Sequence, residues 1–310
     1  MKASVMPACS PLSLTVGITT RNRPAALERC VRSLARLQSL APRVMVFDDA
    51  SERSVEALVK GTAPAGLDVR VIRDDRAVGN IAGRNRLVSE ADTPFVLLLD
   101  DDAVIFDAAP IERARHLLAA DDGVAAVAFA QGEPDGRAWP ERMQPARAHE
   151  PVYVPAFIGF AHLLRRKTFL ALGGYRESLV FYGEEKDFCV RALDAGHCVV
   201  YLPDAIVGHV PDPGGRSATR YVRFVIRNDC LYSLYNEPWP LAAVSLPVRL
   251  WRYRRMAGKN REAGGLRWIA AELARALADV RRERRPVSWA TIRQWRRLAR
   301  TTVPYVPPTA

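Results

Sequence analysis

Three consecutive aspartates, Asp100, Asp101 and Asp102, close the apolar run FVLLL at 95–99. A short, continuous apolar run ended by charge reads as a strand buried in a parallel sheet. Carboxylates at the C-terminal end of such a strand stand where open α/β sheets bind ligands. Their oxygens are hard ligands suited to Mg²⁺ or Mn²⁺ and, through the ion, to a diphosphate. The plainer alternative is an acidic loop that merely ends a strand.

Three further polar clusters bear on that choice: TTRNRP at 19–24, DDAS at 48–51, and Gly79 with Gly83, Arg84 and Asn85. The elements that must position them alternate. Strands are expected at 12–19, 43–47, 69–73 and 94–99. Pro24 suits a first helical turn, and Leu27, Val31, Leu34 and Leu37 follow at helical spacing. Ser51 is placed to cap a helix at 52–60, and 81–91 reads as another. Such alternation implies a parallel, doubly wound sheet. All four clusters then fall on one edge of it.

The middle of the chain is less regular. A helix is expected at 111–120, a strand at 124–130, and a long Pro-, Arg- and Gly-rich loop at 131–150 that could move over a site. Residues 169–175 hold the turn Gly173-Gly174. A helix at 185–195 stops at Gly196, a strand follows at 199–202, Pro203 turns the chain, and 212–215 is a loop. From 220 onward the pattern is helical to the end.

Composition narrows the class. The chain has 310 residues, 49% hydrophobic and 25% charged, as in an ordinary globular protein. Five scattered cysteines form no CxxC pair, which favours a reduced cytosolic setting. Residues 1–11 carry one Lys and no long apolar core, unlike a signal peptide. No apolar stretch is long enough to span a membrane; 241–251 is short and holds Pro247 and Arg249. The net charge is +11. Residues 249–300 contain 16 Lys/Arg against 4 Asp/Glu, so this segment holds all the excess.

Taken in order, the motifs resemble the family 2 glycosyltransferases, which have the GT-A fold. Thr20–Pro24, Asp48–Ser51, Gly79–Asn85 (Gly83 replacing the usual Ala) and Leu99–Asp102 follow that family's first half. Tyr182–Phe188, Arg191, Gly196, Tyr201–Ala205, His209 and Arg227-Asn228 follow its second. The resemblance implies an α/β, Rossmann-like, mostly parallel sheet flanked by helices, with a C-terminal basic helical extension. The expected divisions are a GT-A domain at 12–237 and the extension at 238–310. Within the first, 12–102 is the nucleotide-binding half and 103–237 the acceptor half.

It also implies an inverting, metal-dependent transfer from a nucleotide-diphosphate sugar (UDP-, dTDP- or GDP-linked) to an acceptor hydroxyl. The setting would be envelope polysaccharide, glycolipid or another glycoconjugate. Asp102, with Asp100 and His209, would hold Mn²⁺ or Mg²⁺. His209 as a satisfied loop histidine is the plainer reading. Thr19, Arg21, Asp48, Asp49, Arg84, Asn85, Asp100 and Asp101 would seat the nucleotide. The family takes its base from an acidic pair at a helix start, here Glu184-Glu185. Register makes Glu185 the base and Glu184 the runner-up. Helix capping by Glu184, Glu185 and Asp187 is the plainer alternative. A helix N-terminus would lower the base's pKa and favour its ionised form.

The basic tail has two stripes at helical spacing: Leu266, Ile269, Leu273, Leu277, Val280, then Trp289, Ile292, Trp295, Ala299. Basic amphipathic helices with Trp at the border suit an anionic membrane surface. The leading expectation is a cytoplasmic enzyme held peripherally on the inner membrane face through 249–300, near a lipid-linked acceptor. An extra helical layer or a dimer contact is the alternative. Rival functions are a haloacid-dehalogenase-type phosphatase, since Asp100–Val104 fits D-x-D-x-V, a sugar-phosphate nucleotidyltransferase, and a nucleic-acid-binding protein. The first motif usually opens its domain, the second wants a glycine-rich turn after strand one, and nucleic acid is disfavoured because no binding motif accompanies the charge.

Overall fold

A computed structural model describes residues 12–211, 217–259 and 264–308. The expected loop at 212–215 and the segment 1–11 lie outside the described residues.

The first half alternates as the sequence implies. β1 (Leu14–Thr20) leads to α1 (Pro24–Ser33), β2 (Arg43–Asp49), α2 (Glu56–Thr62), β3 (Asp68–Asp74), α3 (Asn80–Glu90) and β4 (Phe95–Asp100). β1 is buried at every position, and β2 and β4 at all but one. That is why they read as apolar runs rather than alternating ones. β5 (Ala103–Val104), α4 (Ala109–Ala120), β6 (Val124–Gly132), β7 (Val152–Tyr153), β8 (Ala161–Arg165), α5 (Arg166–Ala171), α6 (Glu184–Asp194) and β9 (Cys198–His209) follow. Then come α7 (Ala218–Asn236), α8 (Trp239–Lys259), α9 (Gly265–Arg275), α10 (Leu277–Glu283), α11 (Trp289–Leu298) and β10 (Val303–Pro304).

One mixed sheet runs β10-β7-β9-β6-β8-β4-β1-β2-β3, with β5 paired to β9. β1, β2, β3 and β4 are mutually parallel; β8 runs antiparallel to both β4 and β6. β2 and β4 flank β1, so the strand order reverses there. The crevice outside the β1 and β4 carboxyl ends is the ligand position that this topology creates. Register puts Thr19 beside Asp100 and Thr20 beside Asp48.

Several local expectations change. Ser51 does not cap α2, which starts at Glu56. Its amide is spent on Asp48, and its hydroxyl accepts from the Asn22 amide. The helical spacing after α1 continues as a 3-10 turn, Leu34–Leu40. Pro203 does not turn the chain. It lies within β9, whose register with β6 jumps from Leu202 to Ile206. β7 and β8 were not foreseen, and the tail ends in β10, antiparallel to β7. The stripes expected to meet a membrane lie partly against protein. Ile269, Val280 and Ile292 are buried, and Leu266, Leu273 and Trp295 pack against buried clusters. Leu277 (44%) and Trp289 (47%) remain exposed, so the stripes are only partly used in folding.

Candidate active site

The β1–α1 and β2–α2 loops are tied together at their base. Asn22, at φ 54°, donates its amide to Ser51 and accepts from the Glu52 amide at 2.7 Å. Asp48 is fully buried, accepting from the Ser51 amide (3.0 Å), the Val55 amide (3.3 Å) and Arg73. Burial pushes its carboxyl up, but Ser51, Arg73 and Val55 together hold it below the usual range. Asp49 accepts from the amides of Val78 (2.6 Å) and Gly79 (3.2 Å), fastening the start of α3. Both carboxylates thus shape the crevice walls. Thr19 donates to Asn80, while Arg21 is exposed at the rim.

The three aspartates diverge. Asp100 accepts from Arg84 Nη2 at 2.6 Å. Asp101 accepts from the Thr20 hydroxyl at 2.8 Å and from Arg23 Nη1 at 2.5 Å. Burial is the main reason its carboxyl rises to about 7, Arg23 opposing. Asp102 Oδ2 accepts from Arg23 Nη2 at 2.8 Å. Arg23 was missing from the expected site residues, although it stands inside the TxNRP motif.

Asp102 Oδ1 is buried without a hydrogen-bond partner and lies 3.6 Å from His209 Nε2. The β5–β9 pairing sets Ala103 opposite His209, which brings the two together. Gln131 Nε2 donates to the Met143 carbonyl at 2.5 Å, and this assigns Oε1 to the His209 side. Oε1 is 2.7 Å from His209 Nδ1, so in the neutral ring Nδ1 carries the proton and Nε2 the lone pair. Trp139 and Phe160 stack on the imidazole, with centroids at 5.2 and 4.7 Å. The 131–150 loop that supplies Trp139 is pinned by Gln144, which bonds the Gln131 backbone in both directions.

Asp102 Oδ1 and His209 Nε2 are near enough to each other for one cation to meet both. Among the described residues no group of three His, Cys, Asp or Glu could hold a metal. Asp100 is drawn to Arg84 and does not join Asp102 and His209. A two-residue site still suits Mg²⁺ or Mn²⁺, which keep waters and complete their shells with substrate phosphates.

Arg84 links this edge to α6. It is buried and donates to Asp100, to the Gly159 carbonyl (2.7 Å) and to Glu184 Oε1 (2.9 Å). Its neighbour Asn85 does not reach the aspartates. It brackets Tyr175, donating to its carbonyl (2.8 Å) and accepting from its amide (2.9 Å). Glu184 is buried, and Glu185, one residue on, is half-buried. Burial pushes both carboxyls up, with Arg84 opposing. This reverses the expectation from the helix N-terminus: desolvation outweighs the dipole. Asp187 is structural. It accepts from Arg176, from Asn236 at 2.7 Å and from Arg191 at 3.0 Å. Asn228 donates to the carbonyls of Leu179, Phe181 and Tyr182, holding a segment in which Val180 and Tyr182 have positive φ. Strain of that kind collects beside functional sites.

The family model described as Glycosyl transferase family 2 matches residues 15–176, more than half of the chain. The chain belongs to glycosyltransferase family 2. This excludes the phosphatase and nucleotidyltransferase readings as accounts of the aspartate edge. Curated relatives named pre-mycofactocin glycosyltransferase, from two Mycobacterium tuberculosis strains, are 29% identical over 209 residues. The match covers 63% of this glycosyltransferase and 42% of theirs, so the chain spans well under half of their length. Among solved structures, GalNAc-T7 with UDP, GalNAc and Mn²⁺ aligns at TM-score 0.55 and 19% identity, over 86% of this chain and 57% of that one. The mannosyltransferase PcManGT from Pyrobaculum calidifontis, in complex with GDP-Man and Mn²⁺, aligns at 0.56 and 17%, over 94% and 86%. S. aureus TarS 1-349 aligns at 0.60 and 16%, over 86% and 80%. These likenesses show the GT-A fold.

Proposed function

We propose that the protein is an inverting, metal-dependent glycosyltransferase that moves a hexosyl or deoxyhexosyl group from a nucleotide-diphosphate sugar to an acceptor hydroxyl. The observation that carries this is the Arg84 bridge. It ties Asp100, at the end of β4, to Glu184 in the first turn of α6, so a donor in the β1/β4 crevice would lie beside Glu184 and Glu185. The neighbours crystallised with UDP or GDP-Man and Mn²⁺ support a donor and ion of this kind.

In this reading Thr19, Arg21 and the loops shaped by Asp48 and Asp49 line the nucleotide end of the crevice. Asp102 and His209 would hold the cation, which supplies positive charge to the departing diphosphate. Arg23, half-exposed beside them, adds a guanidinium suited to phosphate oxygens. Glu185 takes the acceptor's proton as the hydroxyl oxygen bonds to the anomeric carbon. The bond from that carbon to the diphosphate breaks, its electron pair leaving with the phosphate oxygen. Attack from the opposite face inverts the configuration. Glu184, held by Arg84, positions Glu185 rather than acting as the base. A carboxyl raised toward the working pH is better matched to this task than an ordinary one.

The acceptor is proposed as a lipid-linked or other envelope glycoconjugate. The relatives' name adds pre-mycofactocin to the candidates. The test is incubation with UDP-, dTDP- and GDP-sugars, with Mn²⁺ or Mg²⁺. Nucleotide diphosphate release is followed, and the anomeric configuration of any product is read by NMR. Release from one donor, absent in Asp102→Ala, with an inverted product supports the reading. A retained configuration, or no release from any donor, contradicts it.

A further inference from the structure

α8 is turned inside out for a surface helix. Trp239 (60%), Val244 (65%), Val248 (54%) and Trp251 (60%) are its most exposed large side chains. With Pro240, Ala243 and Pro247 they form an outward face of apolar side chains only, over 239–251. Val244, Val248 and Trp251 recur at helical spacing, so the face is one continuous stripe. The cation of this stretch points the other way. Arg249 bonds Glu237 at 2.7 Å and Asp229 at 3.1 Å on the protein side. Leu246 and Leu250 pack inward against the cluster around Val222, Ile226 and Tyr253. The next turn then presents exposed Arg252, Arg254 and Arg255, of which Arg252 also reaches Asp229 at 3.1 Å.

We propose that the outer face of α8 docks this protein on an anionic bilayer surface. The apolar stripe would enter the boundary between headgroups and acyl chains, and the three arginines would meet lipid phosphates. Three features favour this occupant. Tryptophans stand at both ends of the stripe, as in side chains that settle at a membrane interface. The arginines continue the stripe by one turn, so apolar and cationic contacts reach one plane together. A second copy of the chain would bring two segments of net positive charge against each other, which disfavours self-association. No helix among the described residues is long and apolar enough to cross a membrane, so α8 would lie on the surface. The inference does not depend on the glycosyltransferase reading.

The full chain is sedimented with vesicles of phosphatidylcholine alone and of phosphatidylcholine with phosphatidylglycerol. The wild type should pellet with the anionic vesicles and stay in solution with the neutral ones. Val244→Glu/Val248→Glu should lose at least about tenfold in partitioning. Arg252→Ala/Arg254→Ala/Arg255→Ala should lose on the order of a hundredfold and much of the salt dependence. The valine variant should melt as the wild type does, because its altered side chains are exposed, and the arginine variant should melt close to it, because Asp229 loses Arg252 but keeps Lys186 and Arg249. Failure of the wild type to bind anionic vesicles, or equal binding by the glutamate variant, overturns the proposal. A wild-type dimer by light scattering that the glutamate pair dissociates, without vesicle binding, assigns the face to a second copy and also overturns it.

Discussion

Arg84 meets Glu184 at 2.9 Å, joining the glycine-start helix α3 to the first turn of α6 across 100 residues of chain. The same guanidinium holds Asp100, so one buried cation balances a carboxylate from each half of the site. Removing one member of such a group leaves buried charge without compensation.

Arg84→Met should therefore destabilise the protein by about 3–5 kcal/mol. The loss should depend on pH. Burial raises the Glu184 carboxyl in the folded state, and without Arg84 it rises further. Above the ordinary carboxylate range the unfolded chain has released its proton while the folded protein still holds one. Stability from this group is then present in acid and falls as pH rises. Denaturant melts should show a larger deficit at about pH 8 than at about pH 5. Adding Glu184→Gln should recover part of it. An equal deficit at both pH values would contradict this account.

Glu185→Gln should keep donor binding and lose about 10²–10⁴-fold in transfer. In the wild type the acid limb of the rate profile should lie above the ordinary glutamate range, because burial raises Glu185. Unchanged transfer by the variant would remove Glu185 from the mechanism and return attention to Glu184.

Gly159→Ala isolates positioning. A Cβ at Gly159 would run into the Glu185 carboxylate and approach Arg84 Nη1 at 3.0 Å. Displacing the base by about 1 Å should cost about 100-fold in turnover, with nucleotide affinity unchanged. Steady-state kinetics beside nucleotide titration checks both halves.

Gln131→Leu removes the group that fixes the His209 tautomer while leaving Asp102 intact. Mn²⁺ affinity in the presence of nucleotide should fall about 10–100-fold. Paramagnetic resonance of bound Mn²⁺ measures this without any turnover.

The parallel half of the fold is legible in the sequence because β1, β2 and β4, buried on both faces, are continuous apolar runs, β3 is an alternating edge strand, and polar turns punctuate them. Asp102 and His209 could be paired only through the resemblance. Their contact depends on β5 meeting β9, and β5 has two residues, too short for any periodicity. β7 and β8 are harder to read: β7 has two residues, and in β8 His162 interrupts the apolar run that a doubly buried strand otherwise shows. Arg23 was hidden in plain view. A basic residue in a turn reads as solvated until a strand 80 residues on brings two carboxylates beside it. Of the stripes on α9, α10 and α11, Ile269, Val280 and Ile292 are buried while Leu277 and Trp289 are exposed, because periodicity does not say whether a stripe meets protein or solvent.

The most direct test is calorimetric titration of UDP, GDP and dTDP into wild type and Asp102→Ala, each with and without Mn²⁺. The account predicts that one nucleotide binds the wild type, that Mn²⁺ strengthens this binding, and that Asp102→Ala loses the strengthening. Binding that ignores Mn²⁺ in the wild type, or an unchanged Mn²⁺ effect in the variant, would contradict the Asp102–His209 site.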